Sequence, residues 1–467
     1  MGISTSPVAD YQRGAFDKVV AQAREDGWLN GAEVVCARSP GRLDVMGGVS
    51  DYQGAIVLEG TLQEASLAAV QERDDGAICV RSVGVRDDGL DEEALIEVAD
   101  LVDCGVAVPF DQAAARLRTP PSSRWTGYVA GCVHVLVLSG WLQPERLSGL
   151  NILLSSNVPL GAGVSSSAAI EVSTMHALCG LYGLTMDGVE LARLCQLVEN
   201  RVVGAPCGIM DQVTSALGRD GYLVVLKCQP HDVLGHQAVP PGWRVLGIDS
   251  RVKHSVGGGN YTHARVASFM ALGVVQALSQ ETWGGYLCNI APETWSGWRE
   301  RVPESLTGAE YLRQYGGWTD PVTAIDPEQT YRVRDAAEHH IVVNDRVREF
   351  LALMQCAGEG SDQQLLKEAG ALMLDTHRSY SDRIGLGSEE TDLIADLALE
   401  RGPSGGLYGA RITGGGSGGT VAVLASGPRV EESVAAVVDA YRARTGIEPG
   451  IMAGSSPGAL QFGHWRI

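Results

Sequence analysis

Between a strand-like run at Leu150–Ser155 and a helix-like run at Ser166–Tyr182 the chain reads Val158-Pro-Leu-Gly-Ala-Gly-Val-Ser-Ser-Ser-Ala-Ala169. A connection this short commits the chain to a strand-turn-helix unit in which the first amides of the helix have no partner inside the helix. Gly161 and Gly163 permit the tight turn, and Ser165, Ser166 and Ser167 fall where those amides point outward. Such a unit can cradle a phosphate; it can equally be a plain serine cap after a glycine turn. Nothing in the chain fits G-x-x-x-x-G-K-[ST], so a nucleotide site here would differ from a Walker loop.

Other strand-like runs lie at Glu33–Arg38, Ile56–Glu59, Ser66–Gln71, Ile78–Val83, Tyr222–Lys227 and Trp243–Asp249, interleaved with helical patterns at Trp125–Leu142, Met186–Val203, Asp211–Leu217 and Asn260–Leu278. Longer helical patterns follow at Val342–Met354, Asp362–His377, Glu389–Glu400 and Glu431–Ala443, with strands at Leu407–Thr413 and Thr420–Leu424. The class is mixed, α+β, and 467 residues suffice for two or three domains of roughly 100–200 residues. The acidic stretch Arg86–Asp100 and the Trp-rich stretch Trp283–Gln314 read as surface loops or insertions.

With 56 acidic against 36 basic residues the net charge is -20, which disfavours nucleic acid and anionic membranes as partners. It leaves a small anionic ligand open, because local amides, an arginine and a divalent cation can outweigh a distant field. The ten cysteines form no C-x-x-C pair and read as buried thiols of a reducing, cytoplasmic compartment. The apolar stretch Gly127–Leu142 is too short to span a membrane.

Three further segments carry candidate chemistry. Ser39-Pro-Gly-Arg-Leu-Asp-Val-Met-Gly-Gly-Val-Ser-Asp-Tyr-Gln-Gly54 interrupts a strand at Pro40-Gly41 and places Arg42, Asp44, Asp51 and Tyr52 on a turn-rich path, suited either to sugar hydroxyls or to solvent. Gly204-Ala-Pro-Cys-Gly-Ile-Met-Asp-Gln212 puts Asp211 at a helix start, as a functional carboxylate or as a cap. Gly414-Gly-Gly-Ser-Gly-Gly419 matches G-x-G-x-x-G, but a strand follows where a dinucleotide site needs a helix.

Together, Pro-Gly-Arg at 40–42, the 159–169 segment, Gly-Ile-Met-Asp-Gln at 208–212 and the glycine run at 414–419 resemble the ordered motifs of the GHMP sugar kinases, galactokinase branch. Arg42–Tyr52, Val203–Gly208, His254–Gly258, Leu287–Asn289, Ala410–Thr420 and Gly454–Gly458 are similar to the kinase portion of plant-type L-arabinokinases. The resemblance implies a ribosomal protein S5 domain 2-like first domain (residues 1–245) and a ferredoxin-like second domain (246–467), the last segment able to pack back on the first. Active-site residues would lie in the cleft between them.

By that resemblance Asp211 faces the attacking sugar hydroxyl, Arg42 neutralises charge beside it, and Gly161, Ala162, Gly163, Val164, Ser165, Ser166 and Ser167 wrap the ATP phosphates. Ser166 and Glu199 would hold Mg²⁺; Asp51, Gly48, Val49, Asp211, Tyr261 and Gly258 would meet the sugar; Gly415 and Gly416 would close the site. Galactokinases typically carry glutamate and histidine where this chain has Gly48 and Val49, which implies a pocket trimmed for a sugar lacking the hydroxymethyl arm. A glycine kept only for its turn is the alternative. The expected reaction is ATP-dependent phosphorylation of L-arabinose at C1; galactokinase, a uronic acid 1-kinase or a non-catalytic sugar sensor are the alternatives. The adenine pocket is not identifiable in the sequence, and monomer and homodimer are both open.

Overall fold

The computed structural model describes residues 7–84, 89–119, 121–252, 259–358 and 362–467. Its larger sheet is built on the strand Ile56–Glu72, which serves two neighbours along its length on the side away from Val35–Met46. Ile56 to Gly60 pair with Tyr222–Lys227, and Ser66 to Glu72 pair with Leu150–Ser156. The only parallel pairing described in this sheet joins Leu150–Ser156 to Ala77–Val83; the rest is antiparallel. Glu93–Glu97 forms an edge strand, so part of the acidic stretch expected as a loop is sheet, with Leu95 exposed and Ile96 buried in alternation.

Pro40 and Gly41 do not end the first strand as expected. Val35–Met46 runs through them with a register shift between Pro40 and Arg42. A bulge accommodates a proline, which has no N–H for the ladder. The glycine makes room for the 158–169 segment: a Cβ on Gly41 would stand 2.8 Å from the Val164 carbonyl, which instead accepts the Arg42 amide at 3.1 Å. The strand feature that looked like a break is where the 158–169 segment crosses the sheet.

The second sheet has the order Leu407–Ile412, Thr420–Ser426, Trp243–Asp249, Gly450–Ala453, all antiparallel. Trp243–Asp249 pairs with Thr420–Ser426 along its whole length, across the expected division at 245/246. The closing strand His464–Arg466 returns to the larger sheet, pairing with Val35 to Ala37. An N-terminal helix, Pro7–Glu25, which the sequence patterns did not disclose, packs Phe16 and Val20 against Phe462 and Trp465.

A continuous core joins the two halves: Leu43, Met46 and Leu58 from the larger sheet lie in one cluster with Val343, Phe350, Met373, Leu424 and Met452. The Trp283–Gln314 stretch is not a surface excursion. Its short helices bury Trp295 and Tyr311 against Met270, Val274 and Ala337 of the helices Gly259–Ser279 and Val333–Cys356. No helix of the described residues is long and apolar enough to cross a membrane.

Candidate active site

A cavity of about 870 Å³ opens where the strand-turn-helix loop, the strand Val35–Met46, the helix Met210–Leu217 and the glycine run of the second sheet meet. Ser165, at φ 60°, caps the helix Ser166–Tyr182 in the left-handed region, and its buried Oγ has no hydrogen-bond partner. A cavity-lining, unsatisfied hydroxyl at a helix N-terminus is what an anion-binding turn presents before its ligand arrives. Gly161, Ala162, Gly163, Ser166 and Ser167 line the same wall. Val164 does not; its side chain belongs to the core that joins the sheets, so its role is to support the loop.

Arg42 lies at the floor. Its Nε donates to Asp211 Oδ1 at 2.8 Å, Nη2 lies 2.7 Å from the same oxygen in an ion pair, and Nη1 donates to the Gly163 carbonyl at 2.7 Å. Thus one guanidinium fixes both the carboxylate and the glycine-serine loop. Glu59, fully buried beneath, lies 3.3 Å from Arg42 Nε. Burial alone would lower the Arg42 pKa, but Asp211, Glu59 and Asp44 more than offset it, and Arg42 is held as a permanent cation.

Two more carboxyls face the cavity. Asp51 is pushed up to about 7, first by burial and then by the Asp211 charge, with Arg265 and the Tyr52 amide opposing. Glu199 sits on a π-helical turn, Val198–Val203, and is likewise pushed up to about 7 by burial and by Asp211, with Ser167, Cys207 and Gln212 opposing. Such widened turns redirect a side chain out of the helical repeat. Gln212 Nε2 donates to Glu199 at 2.8 Å and to Glu171 at 3.2 Å, bridging two buried carboxyls. Ser166 and Glu199, the residues expected to hold magnesium, both line this cavity, and a hydroxyl and a carboxylate are oxygen donors of the kind Mg²⁺ takes, the rest of its shell being phosphate and water.

The Asp51 loop is braced from behind. His340 takes Ser50 Oγ at 2.9 Å on one ring nitrogen and Ser268 Oγ at 2.7 Å on the other. Arg265 pairs with Asp320 through two bonds of 2.8 Å and lies over the Tyr52 ring. Val49 and Tyr261 line the cavity with Asp51 and Asp211. Gly258 lies outside the described residues, and Gly259 opens a helix without lining the cavity.

Gly48 corrects the expectation of a trimmed pocket. It does not line the cavity: its φ is +59°, and the place of a Cβ is filled by Tyr380. Glycine stands there because backbone and packing require it. Gly415 lines the site, whereas Gly416, at φ 71°, is packed on the Leu386 carbonyl and does not. The two glycine-rich loops are fastened together, Thr420 Oγ1 donating to the Ala162 carbonyl at 2.8 Å.

Glu59, Tyr380 and Arg265 carried no sequence signal of a role, and Arg411 only that of the Ala410–Thr420 segment, because each acts through a partner elsewhere in the chain. Val83, Leu90, Trp125 and Ile170 form an apolar wall of the cavity, and Arg124 and Arg251 add exposed or half-exposed cations. An aromatic next to the expected helix start was the one available hint of that wall.

A phosphate-type loop, a buried arginine-carboxylate pair and an adjoining polar pocket on this two-sheet scaffold define a small-molecule kinase. Residues 128–219 match the GHMP kinases N terminal domain. L-arabinokinase of Arabidopsis thaliana is 35% identical over 519 residues, covering 98% of this chain and 49% of that protein, so the chain spans about half its length. Galactokinase of Streptomyces coelicolor is 32% identical over 413 residues, covering 87% of this chain and 88% of that enzyme. In three dimensions, Lactococcus lactis galactokinase complexed with galactose superposes with a TM-score of 0.75 at 19% identity, over 97% of this chain and all of that one, and so shares the fold. The chain belongs to the GHMP kinases, as a sugar kinase of the galactokinase and arabinokinase type.

Proposed function

We propose that the chain is an ATP-dependent L-arabinose 1-kinase. The observation that carries the choice of sugar is Val49: the turn presents this apolar side chain to the cavity beside Asp51, and Gly48, which lies outside the cavity with Tyr380 in the place of a Cβ, adds no polar group for an exocyclic hydroxymethyl arm. A pocket built to bond a hydroxyl rejects an analogue lacking it strongly, whereas an apolar wall discriminates weakly. L-Arabinopyranose has the ring stereochemistry of D-galactose without the arm. The 35% identity to L-arabinokinase across almost all of this chain supports the same reading.

In this reading the triphosphate lies on the amides of Gly161 to Ser167, at the positive end of the helix Ser166–Tyr182. The apolar wall with Trp125 takes the base. Ser166 and Glu199 would hold a magnesium ion, which would supply charge neutralisation at the phosphates. Asp211 orients the anomeric hydroxyl and receives its proton through the oxygen that Arg42 leaves unengaged. The anomeric oxygen bonds to the γ-phosphorus as the bond to the bridging oxygen breaks, giving β-L-arabinose 1-phosphate and ADP. Arg42 stabilises the negative charge spreading over the transferring group. The protein would act on small molecules alone, in the cytoplasm.

A galactokinase is the second reading, favoured by galactokinases that match this chain over nearly nine-tenths of both lengths. ADP release measured with L-arabinose, D-galactose, D-galacturonate and D-glucuronate, with phosphorus NMR of each product, separates them. The proposal expects the highest kcat/KM with L-arabinose and phosphate on C1; a higher value with galactose, or phosphate on another carbon, contradicts it.

A further inference from the structure

The wall behind Val49 is set by a residue outside the cavity. Tyr380, fully buried on the helix Gln363–Asp382, places its Oη 1.6 Å from where a Cβ on Gly48 would stand, and Arg411 Nη2 lies 2.8 Å from the same point. No side chain at 48 can coexist with that phenol. The hydroxyl is itself bonded: it accepts the Val49 amide at 2.7 Å and donates to the Gly414 carbonyl at 3.3 Å. Arg411 lies over the Tyr380 ring, its Cζ 5.2 Å from the centroid, and pairs with Asp44 at 2.8 Å. Asp44 accepts the amides of Gly48 and Gly414 at 3.1 and 3.3 Å.

Three buried side chains therefore tie the turn that carries Val49 and Asp51 to the turn that carries Gly415, and both turns line the cavity. We infer that Tyr380 is a specificity-determining positioning residue: it occupies the volume a polar side chain on residue 48 would need and fixes Val49 as the apolar wall of the sugar end. The residue at 48 and the residue at 380 form one steric unit behind Val49, and the substrate's exocyclic arm meets the wall that this unit holds in place. This inference rests on the sugar-kinase reading and deepens it. The hydroxyl has a separate part, because without it the buried Val49 N–H loses its partner.

The test is a set of initial-rate measurements with L-arabinose and D-galactose on the full chain and on Tyr380→Leu, Tyr380→Phe, Gly48→Ala and Gly48→Ala/Tyr380→Leu, with KM for ATP and thermal midpoints recorded in parallel. Tyr380→Leu opens the space beside Gly48 and is expected to move the arabinose-to-galactose ratio of kcat/KM at least fivefold toward galactose, with KM for ATP within twofold of the parent. Gly48→Ala is expected to lose at least tenfold with both sugars, and the double variant to regain at least fivefold of that loss. An unchanged ratio in Tyr380→Leu, or losses that simply add in the double variant, would overturn the inference. Should Tyr380→Leu not fold, Tyr380→Phe decides: a sugar KM raised at least threefold at nearly constant kcat supports it, and an unchanged KM refutes it. If the parent itself prefers galactose, the arabinose reading fails, yet the change of ratio on replacing Tyr380 still decides the inference.

Discussion

Replacing Arg42 by methionine removes a charge that holds a buried carboxyl and, in the proposed mechanism, meets the transferring phosphoryl group, and the structure lets the two effects be separated. Arg42 is 2% exposed and touches Asp211, the Gly163 carbonyl and Glu59. Glu59 is fully buried; Arg42 at 3.3 Å lies within ion-pair distance without hydrogen-bond geometry, and a hydrogen bond with the Asp44 carboxyl favours the protonated form of Glu59. Burial and then Asp44 hold the Glu59 pKa well above the usual carboxylate range, with Arg42 the group that opposes them. Breaking a buried pair by deleting one partner costs about 3–5 kcal/mol. At about 2–4 °C per kcal/mol for a domain of this size, the thermal midpoint of Arg42→Met should fall by roughly 6–20 °C. Adding Glu59→Gln removes the stranded acid, so the double variant should recover more than half of that fall. Turnover should stay reduced at least about a hundredfold in both, because the cation that meets the transferring phosphoryl group is gone. Scanning fluorimetry and ADP-coupled rates read the two effects. A midpoint within about 2 °C of the parent for Arg42→Met would refute the structural half of this reasoning. Restored turnover in Arg42→Met/Glu59→Gln would refute the catalytic half.

Asp211→Asn keeps the shape of the side chain and should lower kcat by about 10²–10⁴ while nucleotide affinity, read by calorimetry, survives; full activity would reduce Asp211 to a helix cap. Ser165→Gly should raise KM for ATP without loss of stability, since the Ser165 Oγ has no protein partner and glycine relieves the left-handed backbone at φ 60°; a lower midpoint would show that the hydroxyl is structural. Asp51 and Glu199 have folded pKa values raised from 3.8 and 4.5 to about 7. The folded protein therefore binds more protons than the unfolded chain between about pH 4 and 7, and stability falls as pH rises through that window. For Asp51 the loss is on the order of 4 kcal/mol at most by pH 8, and Asp51→Asn should flatten the midpoint-pH curve of the ligand-free protein.

Much of the scaffold was legible because its signals are local. The helix Ser166–Tyr182 and the strands Tyr222–Lys227 and Trp243–Asp249 begin and end where glycine, proline and side-chain pattern say they should. The glycine-serine loop, Arg42, Asp211, Asp51 and Tyr261 could be named because the motifs around them resemble those of a known family, and the structure brings them, Val164 excepted, to one cavity. What was misread depends on partners remote in sequence. Pro40-Gly41 looks like a strand break until the Val164 carbonyl is seen crossing it. Gly48 looks like a trimmed side chain until Tyr380 is seen standing in its place. Trp295 and Tyr311 sit on short, irregular elements without a usable period, so nothing in that stretch announced the core it completes.

A crystal structure with a non-hydrolysable ATP analogue, magnesium and L-arabinose measures where the two substrates lie and so tests the proposed mechanism. It should show the β- and γ-phosphates on the amides between Gly161 and Ser167, and the C1 hydroxyl of the sugar about 2.6–3.2 Å from the Asp211 carboxylate, in line with the γ-phosphorus. A sugar bound elsewhere in the cavity, or one whose C1 hydroxyl points away from Asp211 while another hydroxyl faces the phosphate, would contradict it.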